Sequence, residues 1–310
     1  MRRVQFFVTR GVSPSSAKLS VRLPTMTQAT ASVLPRESSS PSAFTRDESE
    51  ALRQLFAEQG FVVVRNVVSP EKLAALGQRV GEEFERQKRM GALMAGGGLL
   101  AGHLNCFPGV EARFAYDALV ERGVIDLVHA IFPRPLGAPS VGCNFNLPKS
   151  VMQHYHADSF FTEDFMIVNV AVVDTDLVNG AIELAPATHK KFYKYWRFAV
   201  EMPYRRGVRI PMKRGDVLIR TSNLWHRGMP NRSSVPRPML AFTFREKSKD
   251  SAERDPWALN DGKVMFYENW YRPTRLGRLR ERTFVSAPIT YAAYRFVRSL
   301  FGTKGYGTTP

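Results

Sequence analysis

The chain has 310 residues, 44% of them hydrophobic and 11% aromatic, which is enough apolar material for one large domain or two small ones. No apolar run approaches the roughly 20 residues that a membrane-spanning helix needs, and two cysteines without a CxxC spacing exclude a disulfide scaffold. The net charge of +16 favours anionic partners such as phosphorylated metabolites, coenzyme A esters or acidic lipid heads; with no zinc finger, RNA-binding aromatic motif or long lysine-rich tail, nucleic acid is not an expected partner.

Residues 1–44 differ in composition from the rest. They are rich in Ser, Thr, Pro and Arg, with no acid before Glu37. This segment reads as a disordered leader or a transit-like segment, and Met26 is an alternative start. The two cysteines, Cys106 and Cys143, are expected as packed thiols in a reducing compartment. The expected location is cytoplasmic, or mitochondrial if residues 1–36 are a transit peptide.

The folded domain is expected over 45–262. Thr45 and Glu48 have capping-box spacing, Leu52, Leu55 and Phe56 form a helical stripe, and Gly60 ends it. Phe61–Val64 is a β-branched run and reads as a strand. Ser69-Pro70-Glu71 opens a second helix with its stripe on Leu73, Leu76, Val80 and Phe84. The glycine-rich stretch 91–102 lacks a nucleotide-loop pattern and reads as a mobile loop; a single helix is expected over about 115–131. Short apolar runs then alternate with turn residues, predicting strands at 140–147, 166–174, 181–185, 207–211, 216–220 and 238–246 in a mainly β, double-sheet architecture with flanking helices. From 263 to 310 the chain is a basic aromatic extension, with Arg272, Arg275, Arg278, Arg280 and Arg282 close together and Tyr291, Tyr294, Phe296, Val297 and Phe301 able to share a helical face. It is expected to pack on the core; a clamp for an anionic substrate and peripheral contact with an anionic membrane are the other readings.

The segment Gln153-His154-Tyr155-His156-Ala157-Asp158 carries the most information. On an extended strand, residues two apart point to the same face, so His156 and Asp158 can meet one metal ion. His226 lies 70 residues after His156 and can supply the third ligand. Two histidines and one carboxylate on one face of an octahedron suit non-haem Fe(II) and leave positions open for cosubstrate and O2. A His-x-Asp pattern alone is a common chance match. Arg237 is 11 residues beyond His226; a strand starting there would run beside the ligand strand, and its guanidinium could hold a carboxylate bidentately. His154, on the same ideal strand face as His156, reads as a plain polar residue or a partner of the site, His189 as structural, and His103 as either a pocket-mouth residue or a loop cap.

In order along the chain, Gly60–Val68 resembles a "GyvvvrnvlS" strand, His154–Asp158 a W-H-x-D iron motif, Asn179–Lys190 an "NGxLxxxPGSHK" segment, and Gly215–Leu218 with His226, Asn231, Ser233 and Arg237 a closing "GDxxxF…H…N.S…R" segment. Together these resemble the phytanoyl-CoA dioxygenase family of Fe(II)/2-oxoglutarate-dependent oxygenases over about 45–247. The resemblance implies a double-stranded β-helix (jelly-roll, cupin-like) core and Fe(II) bound by His156, Asp158 and His226. It also implies 2-oxoglutarate bound by Arg237, with Asn146 and Gln153 as further cosubstrate contacts. The implied activity is hydroxylation of an unactivated C–H bond by O2, with succinate and CO2 as co-products and ascorbate as an in vitro supplement. The expected substrate is a small or lipid-like molecule, and the positive charge points towards an anionic one. Three positions depart from the pattern: Tyr155 stands for Trp, Ala187 for the Gly of the turn, and Gly228 for a hydroxyl residue whose contact could pass to Thr221 or Ser222. Asp158, absent from related halogenases, favours hydroxylation. The alternatives are a non-catalytic jelly-roll ligand-binding protein, or a protein that binds anionic surfaces through its basic tail.

Overall fold

The computed structural model describes residues 44–92, 96–247, 255–268 and 274–301. The leader, apart from Phe44, lies outside the described residues, as does Arg272. Helix α1 (Arg46–Gln59) starts where the capping box places it: Glu48 N donates to Thr45 Oγ1 at 3.2 Å, and Thr45 N donates to Glu48 Oε2 at 2.7 Å. Gly60 closes it in the left-handed conformation and leads into β1 (Phe61–Val64). Ser69 caps α2 (Pro70–Arg89), with Pro70 in its first turn.

The glycine-rich stretch is not the loop expected from its composition. Its described part forms β2 (Gly96–Gly97) and one helical turn, α3 (Gly98–Ala101), and Gly102 at φ 75° turns the chain into β3 (His103–Phe107). Gly96 pairs with Leu104, so the glycines serve a tight return onto a buried strand. The single helix expected near 115–131 is two, α4 (Arg113–Glu121) and α5 (Val124–Ile131), broken where Gly123 takes φ 71°. There follow β4 (Ser140–Asn146), β5 (Met166–Ala171), β6 (Glu183–Leu184), α6 (Tyr195–Glu201), β7 (Val208–Arg209), β8 (Val217–Thr221), β9 (His226–Arg227), β10 (Arg237–Phe244), β11 (Met265–Phe266), α7 (Arg275–Ser286) and α8 (Pro288–Leu300).

Two antiparallel sheets make the jelly-roll core. The larger has the order β1-β8-β5-β10-β4-β3-β11, with β2 on β3; the smaller is β7-β6-β9. One face of the large sheet buries Val62, Val64, Val168, Val170, Phe145 and Leu240 against α1, α2, α4 and α5, each fully buried large side chain being worth about 1.5–3 kcal/mol. The other face meets the small sheet, with Leu218 and Met239 packed on Leu184 and Ile210. Towards the far end of that face the apolar contacts give way to a cavity. Cys106 and Cys143 are buried free thiols directly opposite each other on β3 and β4.

Gly215-Asp216 ties β1 to β8. Gly215 O accepts from Val67 N and Val68 N at 3.0 and 3.1 Å, and the buried Asp216 carboxylate accepts from Arg65 Nη1 at 2.5 Å, Lys213 N at 2.7 Å and Asn66 N at 3.0 Å. Ala187, where the resemblance leads one to expect Gly, holds the left-handed conformation at φ 63° and donates its N–H to Gln59 O at 3.0 Å. Gly215 sits at φ 92°, and a Cβ there would overlap the Val68 carbonyl. Gly215→Ala is therefore expected to lower stability by about 2 kcal/mol or more, read as a lower urea midpoint at unchanged slope.

Candidate metal and cosubstrate site

The segment 153–158 is not a regular strand. It is laid along β9 by separate backbone bonds: Gln153 N to Gly228 O at 2.9 Å, a reciprocal His156–His226 pair at 3.0 and 2.9 Å, and Asp158 N to Ser222 O at 2.9 Å. The alternation is nevertheless strand-like enough to turn His156 and Asp158 to one side. There they meet His226, with one donor atom from each residue all within 4.8 Å of one another. Asp158 Oδ1 is 3.6 Å from His156 Nε2, and Oδ2 is 3.5 Å from His226 Nε2.

The tautomers follow from the other ring nitrogens. His156 Nδ1 lies 2.8 Å from His154 O and His226 Nδ1 lies 2.9 Å from Leu224 O. A carbonyl only accepts, so each Nδ1 carries the proton and each Nε2 offers a lone pair to the site. Burial, seconded by Arg220, pushes the His226 pKa down to about 3; burial also lowers that of His156 against the pull of Asp158. Both rings are thus neutral near pH 7. Burial alone would raise the Asp158 pKa, but His226, Arg220 and His156 outweigh it and hold the carboxyl well below the usual range. With the histidines neutral, Arg220 is the cation that keeps Asp158 ionised, through a 2.8 Å bond from Nη1 to Oδ2. Two neutral imidazoles and one carboxylate converging on one point form a donor set that fits a divalent transition metal.

Asp158 and both histidines line a cavity of about 670 Å³ whose wall also includes Arg220 and Arg237. Arg237 opens β10, as expected, but β10 lies between β4 and β5 in the large sheet, whereas His226 is on β9 in the small one. Arg237 therefore faces the ligand strand across the cavity instead of running beside it. The turn before it is fixed by the fully buried Asn231, whose Nδ2 donates to Asn146 O and Val235 O and whose Oδ1 accepts from Ser233. Arg237 is 5% exposed, its Nε has no hydrogen-bond partner, and its Nη1 reaches Met239 Sδ at 3.9 Å. Burial lowers its pKa to about 10, which leaves it charged at neutral pH.

Asn146 stands opposite Arg237 in the β4–β10 register; its Nδ2 donates to Met229 O at 3.1 Å, and its buried Oδ1 has no partner. Gln153 Oε1 accepts from Gly228 N at 2.8 Å, and the side chain lines the cavity. A Cβ on Gly228 would lie 2.6 Å from Gln153 Oε1 and 2.9 Å from His103 Cε1. Those two side chains thus fill the space that a longer residue would need. Neither Thr221 nor Ser222 takes over there: Ser222 Oγ is engaged by Phe165 N and Ser159, Thr221 Oγ1 by Asn223 N, and neither lines the cavity. His103 opens β3 and lines the cavity, its Nε2 2.6 Å from Val151 O. His154 packs between Phe284 and Tyr291, centroids 5.0 and 4.7 Å away. His189 lies outside it, its ring against Phe56 and its Nε2 3.3 Å from Ala57 O.

Arg220 and Arg295 are site neighbours that carry no motif in the sequence. The signal for Arg220 was a lone charge inside the buried strand Val217–Thr221. Arg295 gave none: its partners, Tyr155 O at 2.8 Å and the Tyr195 ring at 4.1 Å, are more than ninety residues away in sequence.

Residues 56–239 match the family model described as phytanoyl-CoA dioxygenase. Among solved structures, the non-heme alpha ketoglutarate dependent carbocyclase SnoK from nogalamycin biosynthesis is 16% identical at a TM-score of 0.52, covering 66% of this chain and 87% of its own. AviO1 from Streptomyces viridochromogenes Tue57 is 16% identical at a TM-score of 0.51, covering 67% of this chain and 100% of its own. These two likenesses show the fold.

The buried histidines make stability depend on pH. Burial, opposed by the Val151 bond, lowers the His103 pKa to about 4. Its unfolded value is near 6.5, so between about pH 6.5 and 4 the unfolded chain binds the proton and the folded one does not. Metal-free protein should lose stability as pH falls through this window, with a slope of up to about 1.4 kcal/mol per pH unit from each such histidine. Urea midpoints at pH 7 and pH 5 measure this, and His103→Phe should show a smaller drop.

Proposed function

The chain belongs to the phytanoyl-CoA dioxygenase family of Fe(II)- and 2-oxoglutarate-dependent oxygenases, and from that membership we propose that it hydroxylates an unactivated C–H bond of a small, anionic molecule with an apolar part. The observation that carries the reading is the pairing, in one cavity, of the His156, Asp158 and His226 cluster with the buried Arg237 guanidinium, whose Nε has no partner and which has no carboxylate bonded to it among the described residues. A buried charge without a counter-ion is costly, and a bidentate carboxylate removes that cost.

In this reading His156 Nε2, Asp158 and His226 Nε2 would hold Fe(II), and Arg237 would pair with the distal carboxylate of 2-oxoglutarate. Gln153, its oxygen occupied by Gly228 N, would turn its amide N–H groups to the cosubstrate. Asn146 spends its amide nitrogen on Met229 O, so it would act as an acceptor and brace for the Arg237 end. Fe(II), 2-oxoglutarate and O2 supply the oxidation, with succinate and CO2 released beside the hydroxylated product. The chain's part is to fix the ligands in one protonation state, orient the cosubstrate and shield the site. Phe284, Tyr291 and His154 close the wall nearest the metal ligands with aromatic surface, which suits an apolar substrate part and limits water. The charge of Fe(II) and that of the dianionic cosubstrate cancel, leaving Arg220, Arg237, Arg245, Arg295 and Arg298 of the cavity lining against Asp158. That excess positive charge favours an anionic substrate.

Anaerobic titration of the metal-free protein with Fe(II) and 2-oxoglutarate should give a weak visible charge-transfer band. Arg237→Ala should weaken 2-oxoglutarate binding by about a hundredfold or more, and Asp158→Ala should remove the band. A wild type with no band, and with no succinate formed when O2 is admitted, is the result that this reading does not survive.

A further inference from the structure

The C-terminal helices each bury one side and expose another of unusual character. On α7, Gly277, Glu281 and Phe284 face inward, while Leu276 and Leu279 are 65% and 60% exposed, flanked by exposed Arg275, Arg280 and Arg282. On α8, Arg295 and Ser299 are buried against the body; Ser299 Oγ accepts from Trp196 N at 2.9 Å. The opposite side of α8 presents Ile289, Ala293, Val297, Leu300 and Phe301, an apolar stripe with Ile289 84% and Phe301 78% exposed. Between 274 and 301 the one acid is Glu281, and it is buried. Among the described residues the outer side of this helical pair is thus apolar and cationic, without a carboxylate.

A face of that kind has a cost in water that a solvated basic helix does not. Its two components match the two layers of an anionic bilayer surface: guanidiniums meet lipid phosphates and carboxylates, and the leucine, isoleucine and phenylalanine side chains reach the acyl boundary. No described helix is long and apolar enough to cross a membrane, so the contact is peripheral. We propose that α7 and α8 dock the protein onto the surface of an anionic phospholipid bilayer. Charge complementarity selects this occupant over a second copy of the chain, which would bring the same arginines face to face. The inner sides of the same helices wall the cavity with Phe284 and Tyr291, so docking sets the pocket about one helix diameter, roughly 10 Å, from the lipid.

The test is co-sedimentation of the full-length protein with vesicles of phosphatidylcholine alone or with 30% phosphatidylserine added (~30 mol%, enough for a strong surface potential). Binding to the anionic vesicles should be at least about tenfold tighter and should weaken at least about tenfold on raising salt from 0.1 to 0.5 M (~0.1 and ~0.5 M, Debye lengths of about 10 and 4 Å). Arg280→Gln with Arg282→Gln should reduce it about thirtyfold, each basic residue near such a surface being worth about a factor of five. Ile289→Glu with Phe301→Glu should remove it. Thermal unfolding and Fe(II)/2-oxoglutarate binding should be unchanged in both variants, which separates this proposal from the catalytic one. Equal binding to both vesicle types, binding to neither, or a concentration-dependent dimer that Ile289→Glu dissociates would overturn it.

Discussion

The ion pair between Arg220 and Asp158 is the constraint around which the site is arranged. Arg220 comes from β8 in the large sheet; Asp158 comes from the irregular segment that follows the edge of the small sheet. Their 2.8 Å bond joins the two walls of the cavity at the point where His156 and His226 converge. Arg220 is itself held, its Nε donating to Asn169 Oδ1 on β5 at 3.3 Å. Arg220 is buried and Asp158 half-buried; such a pair contributes little net stability, yet removing Asp158 leaves a buried arginine charge uncompensated. What it gives is definition: Asp158 stays ionised, and one lone-pair direction of Oδ2 is occupied, so the carboxylate has few orientations left.

Arg237 obeys the opposite logic. It is as deeply buried as Arg220 and has no carboxylate in reach among the described residues, so the protein alone does not neutralise it. The fold holds it there through the Asn231 turn and the β4–β10 register, both of which are fully hydrogen-bonded. Strain of this sort persists because surrounding structure over-determines it. The two arginines thus differ: Arg220 is paired within the protein beside the candidate ligand set, whereas Arg237 has no carboxylate partner among the described residues and, in the proposed function, would hold the cosubstrate's distal carboxylate.

Much of this was legible in the sequence, for local reasons. The capping box at Thr45, the Pro70 helix start and the His156/Asp158 pair depend on spacing within a few residues, and spacing survives folding. The departures were legible only as departures: Gly228 acquires a meaning once Gln153 and His103 are seen to fill the space that a side chain would take. What was hidden depends on partners far away in the chain. The strand β3 follows a run of glycines that reads as loop because nothing local reports that Leu104 lies between Gly96 and Phe145. The pairs β9 and β11 are two residues each and carry no periodicity. The break between α4 and α5 turns on one left-handed glycine within a continuous apolar pattern.

Tyr155 shows how the C-terminal helices, which lie beyond the part of the chain that matches the family, nonetheless reach the site. It stands between His154 and His156, in a position where the resemblance leads one to expect Trp. Its hydroxyl donates to Glu183, its ring carries the Arg227 guanidinium at 4.4 Å, and its carbonyl accepts from Arg295 on α8 at 2.8 Å. An indole is larger and would place its N–H elsewhere, so the Tyr155–Glu183–Arg227 group is suited to a phenol. Arg295 is therefore bonded to the backbone of the residue between two histidines, one lining the cavity and the other in the ligand cluster. α8 therefore touches this segment through one hydrogen bond, from Arg295, and one aromatic contact, from Tyr291, while Phe284 of α7 supplies a second aromatic contact to His154. The extension expected from its composition to pack on the core does so, and through these contacts it adjoins the candidate metal site.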